Sequence, residues 1–251
     1  MTRSRSRLAA LLLAWSAVAA SASALQPPAQ SGPPSDTAIT PADRNGESWW
    51  KARHEHVLKA NMSGDVDLLF IGDSITQGWE GNGKEAWARH FAPLHAANLG
   101  FSGDRTQHVL WRFDHGELDG IHPKAAVVMI GTNNSNGSDN SADEIAEGIK
   151  AVVARLHEKL PQTQVLLLAI FPRGEHPNPQ RDKIAAVNAQ IAKLDDGKTV
   201  HYLDIGPKFL ESDGSISKEI MPDSLHLSPK GYALWTEAVE PRVRELMKQQ
   251  N

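Results

Sequence analysis

Apolar residues along this chain gather into short runs separated by amphipathic stretches. Val66–Ile71, Ala125–Ile130 and Val165–Ile170 are largely apolar, each six residues long, and the first two are followed by Gly72 and Gly131. Runs of that length bounded by glycine read as buried strands. Leu94–Leu99, ending at Gly100, is a weaker strand, and Val200–Leu203 a short one. Between them the pattern predicts helices over Ser48–Asn61, Lys84–Phe91, Thr106–His115, Ser141–Leu160 and Arg181–Leu194, with a last helix from Pro229 onward. Ser141 with Glu144 three residues later has the form of a capping box, and Pro161 stops that helix. Strands separated by helices imply βαβ crossovers and a parallel sheet covered on both faces. Ligands then bind beyond the carboxyl ends of the strands.

The N-terminus departs from this alternation. Arg3, Arg5 and Arg7 precede an apolar run from Leu8 to Ala20, and Ala22-Ser23-Ala24 has the small-x-small form of a cleavage site. Residues 1–24 are therefore read as a signal peptide and the protein as exported, periplasmic or secreted. The run falls short of the ~20 apolar residues that span a bilayer comfortably, so no stable membrane insertion is expected after cleavage. Residues 25–46, with five prolines and little apolar bulk, read as a disordered linker. Residues 47–251 form the folded domain.

Composition narrows the chemistry. The 251 residues carry a net charge of −4, so no basic field draws nucleic acid, and none is expected as a partner. There is no cysteine, which removes disulfides, thiolate nucleophiles and cysteine metal sites. A core of ordinary size makes disulfides unnecessary even outside the cell.

The unusual residues lie where strands end. The first strand runs into Gly72-Asp73-Ser74-Ile75-Thr76. A serine held in a tight turn above a sheet edge can act as a nucleophile if a base lies within hydrogen-bond reach; the same residues would also serve as a helix N-cap. The base candidate is His226 in Met221-Pro-Asp-Ser-Leu-His226, with Asp223 three residues before it. That carboxylate could fix the imidazole tautomer and stabilise the imidazolium. Gly103, in Asn98-Leu-Gly-Phe-Ser-Gly103-Asp-Arg105, and Asn133, in Gly131-Thr-Asn133-Asn134, supply N–H donors suited to a developing oxyanion. Gly and Asn also dominate plain turns.

Taken together, GDSIT, NLGFSGD, GTNN and DSLH, in that order, resemble the blocks of the SGNH (GDSL-type) hydrolase family. The resemblance is closer still to the catalytic α subunits of type Ib platelet-activating-factor acetylhydrolase. It runs from about Trp49 to about Leu246 and is most specific over Asn98–Arg112, Val127–Asn134 and Pro172–Asn178. The resemblance implies a three-layer α/β/α sandwich on a flavodoxin-like, five-stranded parallel sheet. It also implies a serine esterase using no metal or other cofactor, with Ser74 as nucleophile, His226 as base and Asp223 as its partner. Ser74, Gly103 and Asn133 would form the oxyanion hole. Acetyl or similarly short esters are the expected substrates, with Ile75, Trp79 and Leu225 as candidate substrate contacts and a homodimer as the expected assembly. Export adds the expectation of an extracellular glycan ester. A lipid acetylhydrolase, a short-chain lipase, an acyltransferase and a silent binding protein on the same fold are the alternatives. Ile75-Thr76 departs from the Leu or Met followed by Val that the acetylhydrolase subunits tend to carry.

Other features carry less. Gly78–Lys84 approaches a phosphate-binding loop, but Glu85 stands where Ser or Thr is needed, and it reads as a site rim. His54-Glu55-His56 points its side chains to different sides of a helix. Asp104 with Arg105 could contact substrate or brace the oxyanion loop, and Arg173-Gly-Glu-His176 could border the site or a dimer contact.

Overall fold

The computed structural model describes residues 36–61 and 65–249. Five parallel strands, β1 (Leu68–Gly72), β2 (Ala96–Gly100), β3 (Ala125–Met129), β4 (Gln164–Leu168) and β5 (Val200–Leu203), form one sheet in the order β2-β1-β3-β4-β5. The helices are α1 (Ser48–Asn61), α2 (Ser74–Gln77), α3 (Lys84–His90), α4 (Thr106–Asp114), α5 (Ala142–Lys159), α6 (Pro179–Ile191) and α7 (Pro229–Lys248). The predicted strands and long helices are all present. The fold is a three-layer α/β/α sandwich.

Strand periodicity decides which layer each side chain joins, because successive residues face opposite sides of the sheet. Leu69, Ile71, Ala126, Val128, Val165 and Leu167 point to one side, where they pack with Val109 and Phe113 of α4, Ile149 and Val152 of α5, and Val187 of α6. Leu68, Phe70, Val127, Met129, Leu166 and Leu168 face the other, against Trp235, Val239 and Val243 of α7. Both faces are dry, which is why the strands read as apolar runs rather than alternating ones.

Local chemistry sets the boundaries. Ser141 caps α5 by accepting from the Glu144 N–H, and the Glu144 carboxylate returns to the Ser141 N–H, as predicted. Helix α6 begins two residues earlier than expected because Asn178 caps it and Pro179 opens it. Strand β2 begins two residues later: a 3₁₀ turn over Ala92–Leu94 ends at His95, whose φ is 50°. Among the described residues no helix is long and apolar enough to cross a membrane.

The expected signal segment and the first part of the expected linker lie outside the described residues. The end of that linker is not loose. Ala38 is buried and its carbonyl accepts from the Thr106 hydroxyl at 2.7 Å, the Ala42 N–H donates to the Gln107 carbonyl at 3.1 Å, and Arg44 is bound to the loop after β2. Proline-rich composition hid this docking, since it rests on backbone groups and one arginine rather than on apolar bulk.

Candidate active site

Strand order brings the motif residues together. β1 lies between β2 and β3, and the loops leaving all three at their carboxyl ends converge above it. Gly72 ends β1 and allows the chain to turn: a Cβ there would lie 2.4 Å from the Met129 carbonyl oxygen and 2.2 Å from the Thr76 hydroxyl. Asp73 then caps α2, its Oδ1 accepting from the Ile75 N–H at 3.0 Å. The capping reading and the nucleophile reading both hold, for Ser74 stands first in the helical turn that Asp73 caps.

Ser74 Oγ lies 2.9 Å from His226 Nε2, and His226 Nδ1 lies 2.6 Å from Asp223 Oδ2. The second carboxylate oxygen of Asp223 accepts from the Leu225 and His226 N–H groups at 3.1 and 2.7 Å. Between acid and base, Ser224 adopts φ 60°. A left-handed serine persists only where its surroundings fix it. Here its carbonyl accepts from the Gly174 N–H at 2.7 Å and its N–H donates to the Met221 carbonyl at 2.9 Å. Burial works against ionisation of Asp223, but the His226 hydrogen bond and the loop N–H groups outweigh it and hold the carboxyl below its ordinary value.

The loop after β2 sits beside this pair. Gly103 has φ +75°, a backbone state that favours glycine. Its neighbour Asp104 is fully buried and is the hub of the loop: Oδ1 accepts from the Trp50 indole at 2.8 Å and from Arg44 at 3.0 Å, and Oδ2 from Arg112 at 3.0 Å. Arg112, also buried, lies 4.0 Å above the Phe101 ring and pairs with Glu117. Asn133, in the loop that follows β3, donates from Nδ2 to the Asp104 carbonyl at 2.9 Å, leaving the second amide hydrogen available. The Ser74 and Gly103 N–H groups donate to no group among the described residues.

Burial raises Asp73 to about 7; its Oδ2 has no hydrogen-bond partner among the described residues. Beside it, Arg173 donates to the Thr132 carbonyl and hydroxyl and to Asn136, which places the Arg173–His176 loop at the site. Arg105 pairs with Asp139, so it is not the partner of Asp104. His54 packs on Trp50 and Trp111. Two expected substrate contacts prove to be core. Ile75 is 1% exposed, and Trp79, also 1% exposed, is packed among Phe70, Trp87, Phe91, Tyr232 and Trp235. Both stand close to Ser74 in sequence, but Ile75 in α2 and Trp79 in the 3₁₀ turn Gly78–Glu80 face the core. Leu225 is half-buried against the same core. The Gly78–Lys84 stretch borders the site as expected: Ser74, Gln77, Gly78, Glu80, Gly81 and Ser102 line an open cavity of about 440 Å³.

A serine hydroxyl bonded to an imidazole that is itself held by a carboxylate, with N–H donors from three strand ends beside it, is equipped for acyl transfer. Fold and site together define an ester hydrolase. The GDSL-like Lipase/Acylhydrolase family model matches residues 70–234, and the chain belongs to that family. It is similar to the platelet-activating factor acetylhydrolase IB subunit alpha1 of Homo sapiens, 41% identical over 208 residues covering 82% of this chain and 88% of that one. The alpha2 subunit of Mus musculus is 41% identical over 209 residues, covering 82% and 89%. Among solved structures, a GDSL-like lipase from Bacteroides thetaiotaomicron shares the fold with a TM-score of 0.62 at 19% identity, covering 77% of this chain and 98% of that one. Est24, a carbohydrate acetylesterase from Sinorhizobium meliloti, does so at 0.58 and 20%, covering 72% and 99%.

Proposed function

We propose that the protein is an exported serine esterase that removes short acyl groups, acetyl above all, from a polar alcohol such as an extracellular glycan. The observation that carries the mechanism is the 2.9 Å contact of Ser74 Oγ with a His226 ring held by Asp223. Ser74 attacks the ester carbonyl while His226 Nε2 takes the hydroxyl proton, and Asp223 stabilises the resulting imidazolium. The negative charge formed on the carbonyl oxygen is met by the Ser74 and Gly103 N–H groups and the second hydrogen of the Asn133 amide. Collapse breaks the bond to the alcohol, which leaves with the Nε2 proton. A water molecule, deprotonated by the same nitrogen, then hydrolyses the acyl-enzyme.

Support for a polar leaving group comes from the cavity beside Ser74, whose lining holds glycines, Gln77, Glu80 and Ser102 but no large apolar side chain. Such a surface hydrogen-bonds to hydroxyls and offers little to a lipid chain. Support for export comes from the pattern of residues 1–24. The 41% identity to acetylhydrolase subunits favours a second reading, a phospholipid with an acetyl group as substrate. Acetate release from acetylated xylan, from small acetyl esters and from an acetylated ether phospholipid separates the two. Release from xylan with little from the lipid supports the glycan reading; turnover of lipid and small esters alone refutes it.

A further inference from the structure

Arg44 lies in the stretch that composition assigns to a linker, yet its side chain is only 16% exposed. Its guanidinium makes two kinds of contact with the loop after β2. Nη1 donates to the Ser102 carbonyl at 2.7 Å and to Asp104 Oδ1 at 3.0 Å. Nε and Nη2 form a fork with the Glu47 carboxylate, both at 2.8 Å, which fixes the plane of the group. The same guanidinium closes the back of Gly103, where a Cβ would lie 3.1 Å from Nη1.

The Ser102 carbonyl and the Gly103 N–H belong to one peptide unit. The structure contains no cis peptide among the described residues, and in a trans peptide the carbonyl and the N–H point in opposite directions. A cation that anchors the Ser102 oxygen therefore sets the direction of the Gly103 N–H. Charge-assisted donation to the carbonyl also draws electron density from the peptide and makes its N–H a stronger donor, as in any hydrogen-bonded chain. The adjoining peptide is held independently, since the Ser102 N–H donates to Gln77 Oε1 at 2.7 Å. Asp104 retains Arg112 and Trp50 as interior partners. Among the described residues, Arg44 is thus the group that addresses the peptide carrying the oxyanion donor.

We infer that Arg44 is a positioning residue for ester hydrolysis: by holding and polarising the Ser102–Gly103 peptide from behind, it makes residues 36–47 a working part of the oxyanion hole. The inference rests on the serine-esterase reading of the site. Because the contact is with a donor used only when charge develops, its loss should fall on kcat with KM little changed.

The test uses the full chain with p-nitrophenyl acetate and compares wild type, Arg44→Ala, Arg44→Lys and Ser74→Ala. Arg44→Ala should lower kcat by about ten- to a hundred-fold, a step smaller than loss of a whole oxyanion donor. Arg44→Lys should recover part of that loss, and added guanidinium ion at non-denaturing concentration should partly restore Arg44→Ala. The rate at which Ser74 is captured by a p-nitrophenyl phosphonate, whose transition state carries the same oxyanion, should fall in parallel. A merely structural role would lower the thermal midpoint or the folded fraction and leave the per-site capture rate unchanged. Wild-type kcat in Arg44→Ala, or a loss matched by the folded fraction, overturns the inference. Undiminished turnover by Ser74→Ala instead overturns the serine-esterase reading beneath it.

Discussion

The Asn133 side-chain amide donates to the Asp104 carbonyl at 2.9 Å, so the loops leaving β2 and β3 are one mechanical unit. Asp104 is in turn clamped by Trp50, Arg44 and Arg112. Replacing Asn133 by Ala removes both the proposed oxyanion donor and this tie. The expected result is a fall in kcat of about 10²-fold or more, with the fold retained. Steady-state kinetics on p-nitrophenyl acetate, with circular dichroism as the control, checks it.

Asp223 meets His226 through one oxygen and the loop backbone through the other. Asp223→Asn preserves the shape while offering the ring the wrong hydrogen-bonding partner, so kcat should drop by about 10³- to 10⁴-fold. The carboxylate is well exposed, and its loss should shift the thermal midpoint little. A variant that keeps wild-type turnover would remove Asp223 from the mechanism.

Burial holds Asp73 at about 7, above its unfolded value of 3.8. Between those values the native state keeps a proton that the unfolded chain releases, so this group makes stability fall as pH rises through the window. Asp73→Asn cannot titrate and should lack that component. The stability difference between variant and wild type, measured by denaturant unfolding, should move in the variant's favour from pH 4 to pH 8, by an amount on the order of a few kcal/mol. A difference that stays flat would show that Asp73 does not gain its proton on folding.

Trp79 separates core from specificity. At 1% exposure, within an aromatic cluster, it should cost about 3–5 kcal/mol of stability when cut to Ala. The acyl-length preference of the remaining folded enzyme should be unchanged. A shifted preference with intact stability would return Trp79 to the substrate site.

Much of this was readable before the structure. β1, β3 and β4 announce themselves because a doubly covered parallel sheet makes their interiors apolar, whereas the half-buried Ala96–Asn98 of β2 weaken that strand's signal. Ser74, Gly103 and Asn133 lie just beyond the ends of β1, β2 and β3, while Asp223 and His226 come from the loop before α7. The contacts that the sequence does not show share a cause: they are carried by geometry rather than composition. Arg44 reaches Ser102 across 58 positions of chain from a proline-rich segment. Arg173 sits in a loop whose contacts with Thr132 depend on how β3 and β4 end side by side. Ile75 and Trp79 stand one and five positions after Ser74, yet α2 and the 3₁₀ turn that follows it bury them. The structure gives the reason why the Asn98–Arg112 stretch is so specific. Asn98 holds the α2 turn through the Thr76 carbonyl, Asp104 anchors the loop, and Arg112 lies beneath it.

The most direct test of the central claim is capture of the acyl-enzyme. The full chain would be mixed with p-nitrophenyl acetate, quenched with acid within the first turnovers and digested, and the acetylated residue located by mass spectrometry. The expected result is a burst of p-nitrophenol, one acetyl group on the peptide containing Ser74, and neither signal in Ser74→Ala. An acetyl group on another residue, or hydrolysis that persists in Ser74→Ala, would contradict it.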